Sequence, residues 1–169
     1  ADLAGLVGFT EVTGSLFINA VDLPSLNGLE SPTTVGRLDI SYNEALTNLE
    51  GLNNLEVAGD GIYISNNPAL ESLEGLNNLE VVGYLDINNN DTLASLDALN
   101  NLMSVGGYVS IIYNDALTNL EGLNSLMTVG DKLDIFENDL LTSLEALNNL
   151  TSVGGIFEIR NNVRLTSLE

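Results

Sequence analysis

Carboxylates are the most numerous groups in this sequence that could do chemistry, and they recur at a fixed interval. Glu50, Glu74, Asp97, Glu121, Glu145 and Glu169 each follow a leucine, and neighbours in the series stand 23 or 24 residues apart. A second, broken series holds Asp39, Asp86, Asp134 and Glu158, with Tyr63 and Ser110 at the intervening places. If equivalent positions stack at the spacing of β-strands, about 4.8 Å, such files could hold Ca²⁺ between neighbouring layers. Glu50, Glu74, Asp97, Glu121 and Glu145 are therefore the candidate metal site, and calcium is the one cofactor the sequence offers. One carboxylate per layer is sparse for an ion that takes about six to eight oxygens. The competing reading of the same file is a solvated acidic face that favours solubility. Paired carboxylates also hydrolyse glycosides, but a cleft for that chemistry needs loops that bulge out of the repeat. No copy departs from 23–24 residues by more than one, so the chain is read as non-catalytic.

Composition narrows the classes further. The chain has 169 residues, 24 acidic against 4 basic, a net charge of −20, and neither Cys nor His. The missing Cys and His remove disulfides, thiol chemistry and the commonest zinc ligands. The charge repels a phosphate backbone, which excludes nucleic acid as an expected partner. No apolar run approaches the roughly 20 residues of a helical membrane span.

The element that must position the carboxylates is an internal repeat. Leu3, Leu26, Leu49, Leu73, Leu96, Leu120, Leu144 and Leu168 mark the start of successive copies, so seven copies fill the chain and residues 1–169 read as one domain. Each copy runs through a Leu-x-Gly/Ala-Leu turn, another Leu, a Val-Gly pair in most copies, a short strand, an Asn and a Leu-x-x-Leu. The strands are read at Leu16-Phe17-Ile18, Leu38-Asp39-Ile40, Ile62-Tyr63-Ile64, Leu85-Asp86-Ile87, Val109-Ser110-Ile111, Leu133-Asp134-Ile135 and Phe157-Glu158-Ile159. Apolar outer positions around a mostly polar centre are the period of a strand with one buried face. Equal copies with a strand in the same place predict parallel stacking. The expected fold class is all-β, a parallel β-helix (β-solenoid) of about seven 23–24-residue coils forming a rod about 34 Å long. Stacking would also align Asn43, Asn67, Asn90, Asn114, Asn138 and Asn162 into a structural asparagine ladder, amide to amide. Gly36, Gly59, Gly83, Gly106, Gly130 and Gly154 are expected to supply a backbone bend.

The stretch from Leu76 to Asn90, LNNLEVVGYLDINNN, resembles the repeat of the receptor L domain, a leucine-rich β-helix of the extracellular parts of growth-factor receptors. The stretch from Leu147 to Asn162 resembles related repeats of fungal wall-anchored and bacterial surface proteins. The resemblance covers essentially all seven copies. It implies right-handed winding and an extracellular or cell-surface setting. The receptor cysteines are missing here, so disulfide flanks are not implied, and no binding residue carries over.

The expected function is a non-catalytic extracellular structural or adhesion module that presents repeated side-chain columns. Two alternatives stand beside it. Pro24 and Pro32 break the repeat near one end, and the sequence stops at Leu168-Glu169 at the start of a new coil. Uncapped coil ends predict a segment of a longer surface protein or a subunit that self-associates end to end into a filament. Binding to ice or to a polysaccharide surface is the other alternative. Its signals are a threonine file at Thr47, Thr118, Thr142 and Thr166, interrupted by Glu71 and Ala94, and the tyrosines Tyr42 and Tyr113, which could stack sugars.

Overall fold

The computed structural model describes residues 8–20 and 23–166. The turn expected at Leu3 to Leu6, and the positions Leu168 and Glu169, lie outside the described residues. Eleven strands form one sheet, and every strand pairing is parallel. The first three levels are single long strands, β1 (Glu11–Asn19), β2 (Thr34–Ser41) and β3 (Val57–Ser65). The next four are split into β4 (Val81–Val82) with β5 (Leu85–Asn88), β6 (Ser104–Val105) with β7 (Val109–Ile112), β8 (Thr128–Val129) with β9 (Leu133–Phe136), and β10 (Ser152–Val153) with β11 (Phe157–Arg160). Strand β3 pairs with both β4 and β5, so the sheet divides into two limbs at that level. The protein is a β-solenoid of about six stacked coils. The expectation of seven is corrected because seven strand levels enclose only six lengths of chain between them.

Between strands the chain advances by threes. Leu70 N–H donates to Asn67 O, Leu76 N–H to Leu73 O and Leu79 N–H to Leu76 O, and the same bonds recur in the following coils. A leucine at every third residue therefore points inward from each of these tight turns, a period that belongs to neither strand nor α-helix. Leu46, Leu49, Leu52 and Leu55, with their equivalents in the next three coils, join Leu38, Ile40, Ile62, Ile64 and their equivalents in one continuous buried core. Burying each such side chain contributes about 1.5–3 kcal/mol.

The turn that opens each copy takes two forms, chosen by one residue. Where Leu-x-Gly-Leu stands, Gly75 has φ 115° and a Cβ there would lie on Leu49 O. Where alanine replaces the glycine, at Ala98 and Ala146, the backbone tightens into 3₁₀ turns at Asp97–Leu99 and Glu145–Leu147.

The Val-Gly glycines act differently from the expectation. None of Gly36, Gly59, Gly83, Gly106, Gly130 and Gly154 has a positive φ. At Gly83, Gly130 and Gly154 the demand is space, because a Cβ would lie within about 2.2 Å of a carbonyl oxygen of the coil before. Gly59 and Gly106 meet no such contact.

Left-handed backbone sits instead at the end of each main strand. Ala20, Tyr42, Asn66, Asn89, Tyr113, Glu137 and Asn161 all have φ between 52° and 59°. This conformation costs an ordinary L-residue about 1–2 kcal/mol, and asparagine tolerates it best after glycine. Replacing Glu137 by Asn is expected to stabilise the fold by about 1 kcal/mol, read as a thermal midpoint about 2–4 °C higher for a chain of this size.

Candidate functional site

Stacking sorts every outward side chain into files, and the files differ in what they could do. The turn-side file of Glu50, Glu74, Asp97, Glu121 and Glu145 is solvent-exposed throughout. Among the described residues no group of three or more Asp or Glu side chains could hold a metal ion. The calcium rail expected of this file would draw on one carboxylate per coil. Its sixth member, Glu169, lies outside the described residues.

The six asparagines are buried at the corner after the left-handed residue. Asn114 shows the pattern. Its Oδ1 accepts from both the backbone N–H and the Nδ2–H of Asn90, at 3.2 Å each. Its Nδ2 donates to Ile87 O of the preceding coil at 3.0 Å and to Ile112 O of its own at 3.1 Å. The same bonds join Asn43 to Asn67, Asn67 to Asn90, and Asn138 to Asn162. These amides face inward and spend their donors and acceptors on backbone and on each other. The corner outside them is acidic. Asp115 is pushed up by partial burial and by the nearby Asp139, Asp91 and Glu137 carboxylates. Tyr42 and Tyr113 stand exposed at this corner, two members of the left-handed column.

The outer face of the main sheet limb is where the repeat is least uniform. Its register sets three files side by side. The central file is Phe17, Asp39, Tyr63, Asp86, Ser110, Asp134 and Glu158. One flanking file begins Ser15, Arg37, Gly61 and continues through Tyr84, Tyr108, Lys132 and Ile156, whose carbonyls or neighbours carry the ladder bonds. The other is Asn19, Ser41, Ser65, Asn88, Ile112, Phe136 and Arg160. Three of the chain's four basic residues and five of its nine aromatic residues are gathered here.

The electrostatics of this face are local pairs. Arg37 Nη2 lies 2.8 Å from Asp39 Oδ2, and the Arg37 guanidinium sits 5.8 Å and 5.9 Å from the ring centres of Phe17 and Tyr63. Lys132 Nζ is 2.5 Å from Asp134 Oδ2 and 3.6 Å from Glu158. Arg160 Nε is 3.1 Å from Glu158 Oε1, with its guanidinium 4.1 Å above the Phe136 ring. Asp134 raises the Lys132 pKa through their hydrogen bond.

Asp86 is the exception. It accepts from Asn88 Nδ2 at 2.7 Å on Oδ1, the Tyr108 hydroxyl lies 3.5 Å from Oδ2, and no ion pair reaches it among the described residues. Burial, only partly offset by these hydrogen bonds, lifts its carboxyl above the ordinary value of 3.8. Tyr84 and Tyr108 stack beside it with ring centres 5.1 Å apart and planes 8° from parallel. The Tyr84 ring covers the space that Gly61 leaves empty. Burial first, then the Asp86 charge, pushes the Tyr108 hydroxyl up to about 12.

The central-file acids were legible as a series, but their burial was not. Asp39 is 6% and Asp134 7% exposed, although both point away from the core. The tyrosine pair was missed because the strands were read as three residues long, one residue short of Tyr84 and Tyr108. The signal that could have found them is a bulky residue immediately before each strand leucine or valine.

Two cavities lie at the extremes of the described coils. One of about 360 Å³ is lined by Phe9, Val12, Leu16, Leu29 and Pro32, and one of about 240 Å³ by Leu144, Leu147, Leu150, Phe157 and Ile159. Both are openings onto the apolar core. No helix among the described residues is long and apolar enough to cross a membrane. No family model matches the chain, and no curated protein or solved structure matches it significantly.

Replacing Asn114 by Ala removes the acceptor of the buried Asn90 N–H, one of the acceptors of the Asn90 amide and the side-chain donor to the Ile87 carbonyl. The expected cost is about 3 kcal/mol or more, measured by urea unfolding, and larger than that of Asn162→Ala at the last described coil. For Asp86 the sign is opposite. A carboxyl whose folded pKa is raised destabilises the fold once pH exceeds its ordinary value, and that destabilisation is complete above the folded pKa. Asp86→Asn is therefore expected to raise the melting midpoint at pH 7, with the gain vanishing as pH falls below about 3.8. An unchanged gain at low pH would contradict this.

Proposed function

We propose that this chain is a non-catalytic structural or adhesion module of the cell exterior, related to the leucine-rich β-helices of receptor L domains and of bacterial and fungal surface proteins. The outer face of the main sheet limb is its contact side. The observation that carries the reading is the contrast between files. Core and corner files repeat the same residue from coil to coil because packing demands it. The outer-face files do not repeat, and they collect the rings and the cations of an otherwise acidic chain. Rings and paired charges on a stiff scaffold suit recognition by many weak contacts, which add when a ligand spans several coils. The resemblance of Leu76 to Asn90 and of Leu147 to Asn162 to surface-protein repeats supports the extracellular placement.

The reading is tested by retention of the protein on a glycan array and on immobilised cell-wall polysaccharides. The wild-type chain is expected to be retained on at least one surface, Tyr63→Ser/Tyr108→Ser to lose that retention, and Glu50→Gln/Glu74→Gln/Glu121→Gln to keep it. Equal retention of both variants would place the contact side elsewhere.

A further inference from the structure

Four carboxylates stand in the central file of the outer face, and three of them have a built-in cation. In each case the cation comes from the outward neighbour two residues away along the chain: Arg37 for Asp39, Lys132 for Asp134, Arg160 for Glu158. At Asp86 both of those neighbours are neutral, Tyr84 and Asn88. The two arginines also lie against rings, Arg37 against Phe17 and Tyr63, and Arg160 against Phe136. The chain thus builds the same small constellation twice, a carboxylate beside aromatic rings holding a guanidinium. Around Asp86 the rings are present and no guanidinium is in ion-pair reach; the Arg37 charge, held by Asp39, acts on Tyr84 and Tyr108 but makes no ion pair with Asp86. Tyr84 and Tyr108 stack on the same face, Tyr63 precedes Asp86 in its file, and the Asp86 carboxylate has neutral partners only: Asn88 Nδ2 on Oδ1, the Tyr108 hydroxyl 3.5 Å from Oδ2, and the Ser110 hydroxyl.

We propose that Asp86, with Tyr84 and Tyr108, is a binding site for a guanidinium from outside the chain, an arginine side chain of a basic partner protein. Asp86 Oδ2 accepts from the guanidinium N–H groups, and the tyrosine rings supply the cation–π contact that Phe17 and Phe136 give the internal arginines. The net charge of −20 draws a basic partner toward the face and raises its rate of encounter. The partly buried carboxylate is a cost to the free protein that a bound cation would remove. The proposal rests on the outer face being the contact side.

The test is a titration of the intact chain with N-acetyl-arginine methylamide, following the ring resonances of Tyr84 and Tyr108 by NMR. Saturable shifts are expected with the arginine compound, and none with the neutral citrulline analogue at the same concentrations. Asp86→Asn is expected to weaken binding by about tenfold or more. Its melting midpoint at pH 7 is expected not to fall, which separates a loss of binding from unfolding. Tyr108→Leu is expected to weaken binding by a smaller factor. The absence of saturable shifts, equal shifts from citrulline, or unchanged affinity in Asp86→Asn would each overturn the assignment. If arginine fails to bind while Tyr63→Ser/Tyr108→Ser still abolishes retention on surfaces, the guanidinium site falls and the contact face stands. If both fail, the face falls with it.

Discussion

One side-chain oxygen per coil, the Oδ1 of the corner asparagine, accepts two N–H donors from the coil before it, and much of the architecture is arranged so that it can. The bond forms only if each coil brings its asparagine to the same height and angle. That requires coils of nearly equal length, a left-handed residue immediately before the asparagine, and a dry corner. The near-constant 23–24-residue interval, the seven positive φ values and the full burial of Asn43, Asn67, Asn90, Asn114 and Asn138 answer those requirements one by one. A buried amide left unpaired is expensive. An asparagine brought to the wrong height would therefore forfeit corner bonds on both sides of it, and the 23-residue step from Asn67 to Asn90 keeps both bonds because the one-residue difference is taken up between Ala58 and Ile62.

The same constraint explains where variation is permitted. Residues that face the core or the corner have neighbours above and below that fix their size and polarity. Outward residues on the main limb have neighbours that fix only their spacing. Like charges directly above one another would repel, and the face avoids this by alternation. Tyr63 separates Asp39 from Asp86, Ser110 separates Asp86 from Asp134, and Lys132 lies within reach of both Asp134 and Glu158 where two acids are adjacent. The turn-side file of Glu50, Glu74, Asp97, Glu121 and Glu145 does not alternate, and it stays fully in water where repulsion is screened.

Much of this was readable from the residues. The leucine marks, the strand centres and the asparagine positions are set by packing that repeats, so periodicity alone exposes them. What escaped the reading depends on contact between coils. Nothing within one copy tells that Gly83 faces a carbonyl of the preceding coil while Gly59 faces open space. Nor does it tell that alanine at Ala98 converts a left-handed turn into a 3₁₀ turn. The acidic series were visible, but a carboxylate in the middle of a strand and one in a turn look alike until their neighbours are known. Asp39 and Asp134 are closed over by the cations beside them, and Glu50 is not. The tyrosine pair lay one residue beyond the strand limits that alternation of three residues can define.

The corner amides make the bonds on which the stacking of coils depends most directly. Hydrogen exchange of the asparagine side-chain NH₂ groups, resolved by NMR, measures them without any substitution. The amides of Asn67, Asn90, Asn114 and Asn138 are predicted to exchange orders of magnitude more slowly than the exposed amides of Asn53, Asn77 and Asn124, and to lose protection together on unfolding. Side-chain amides that all exchange at one rate would contradict the stacked ladder.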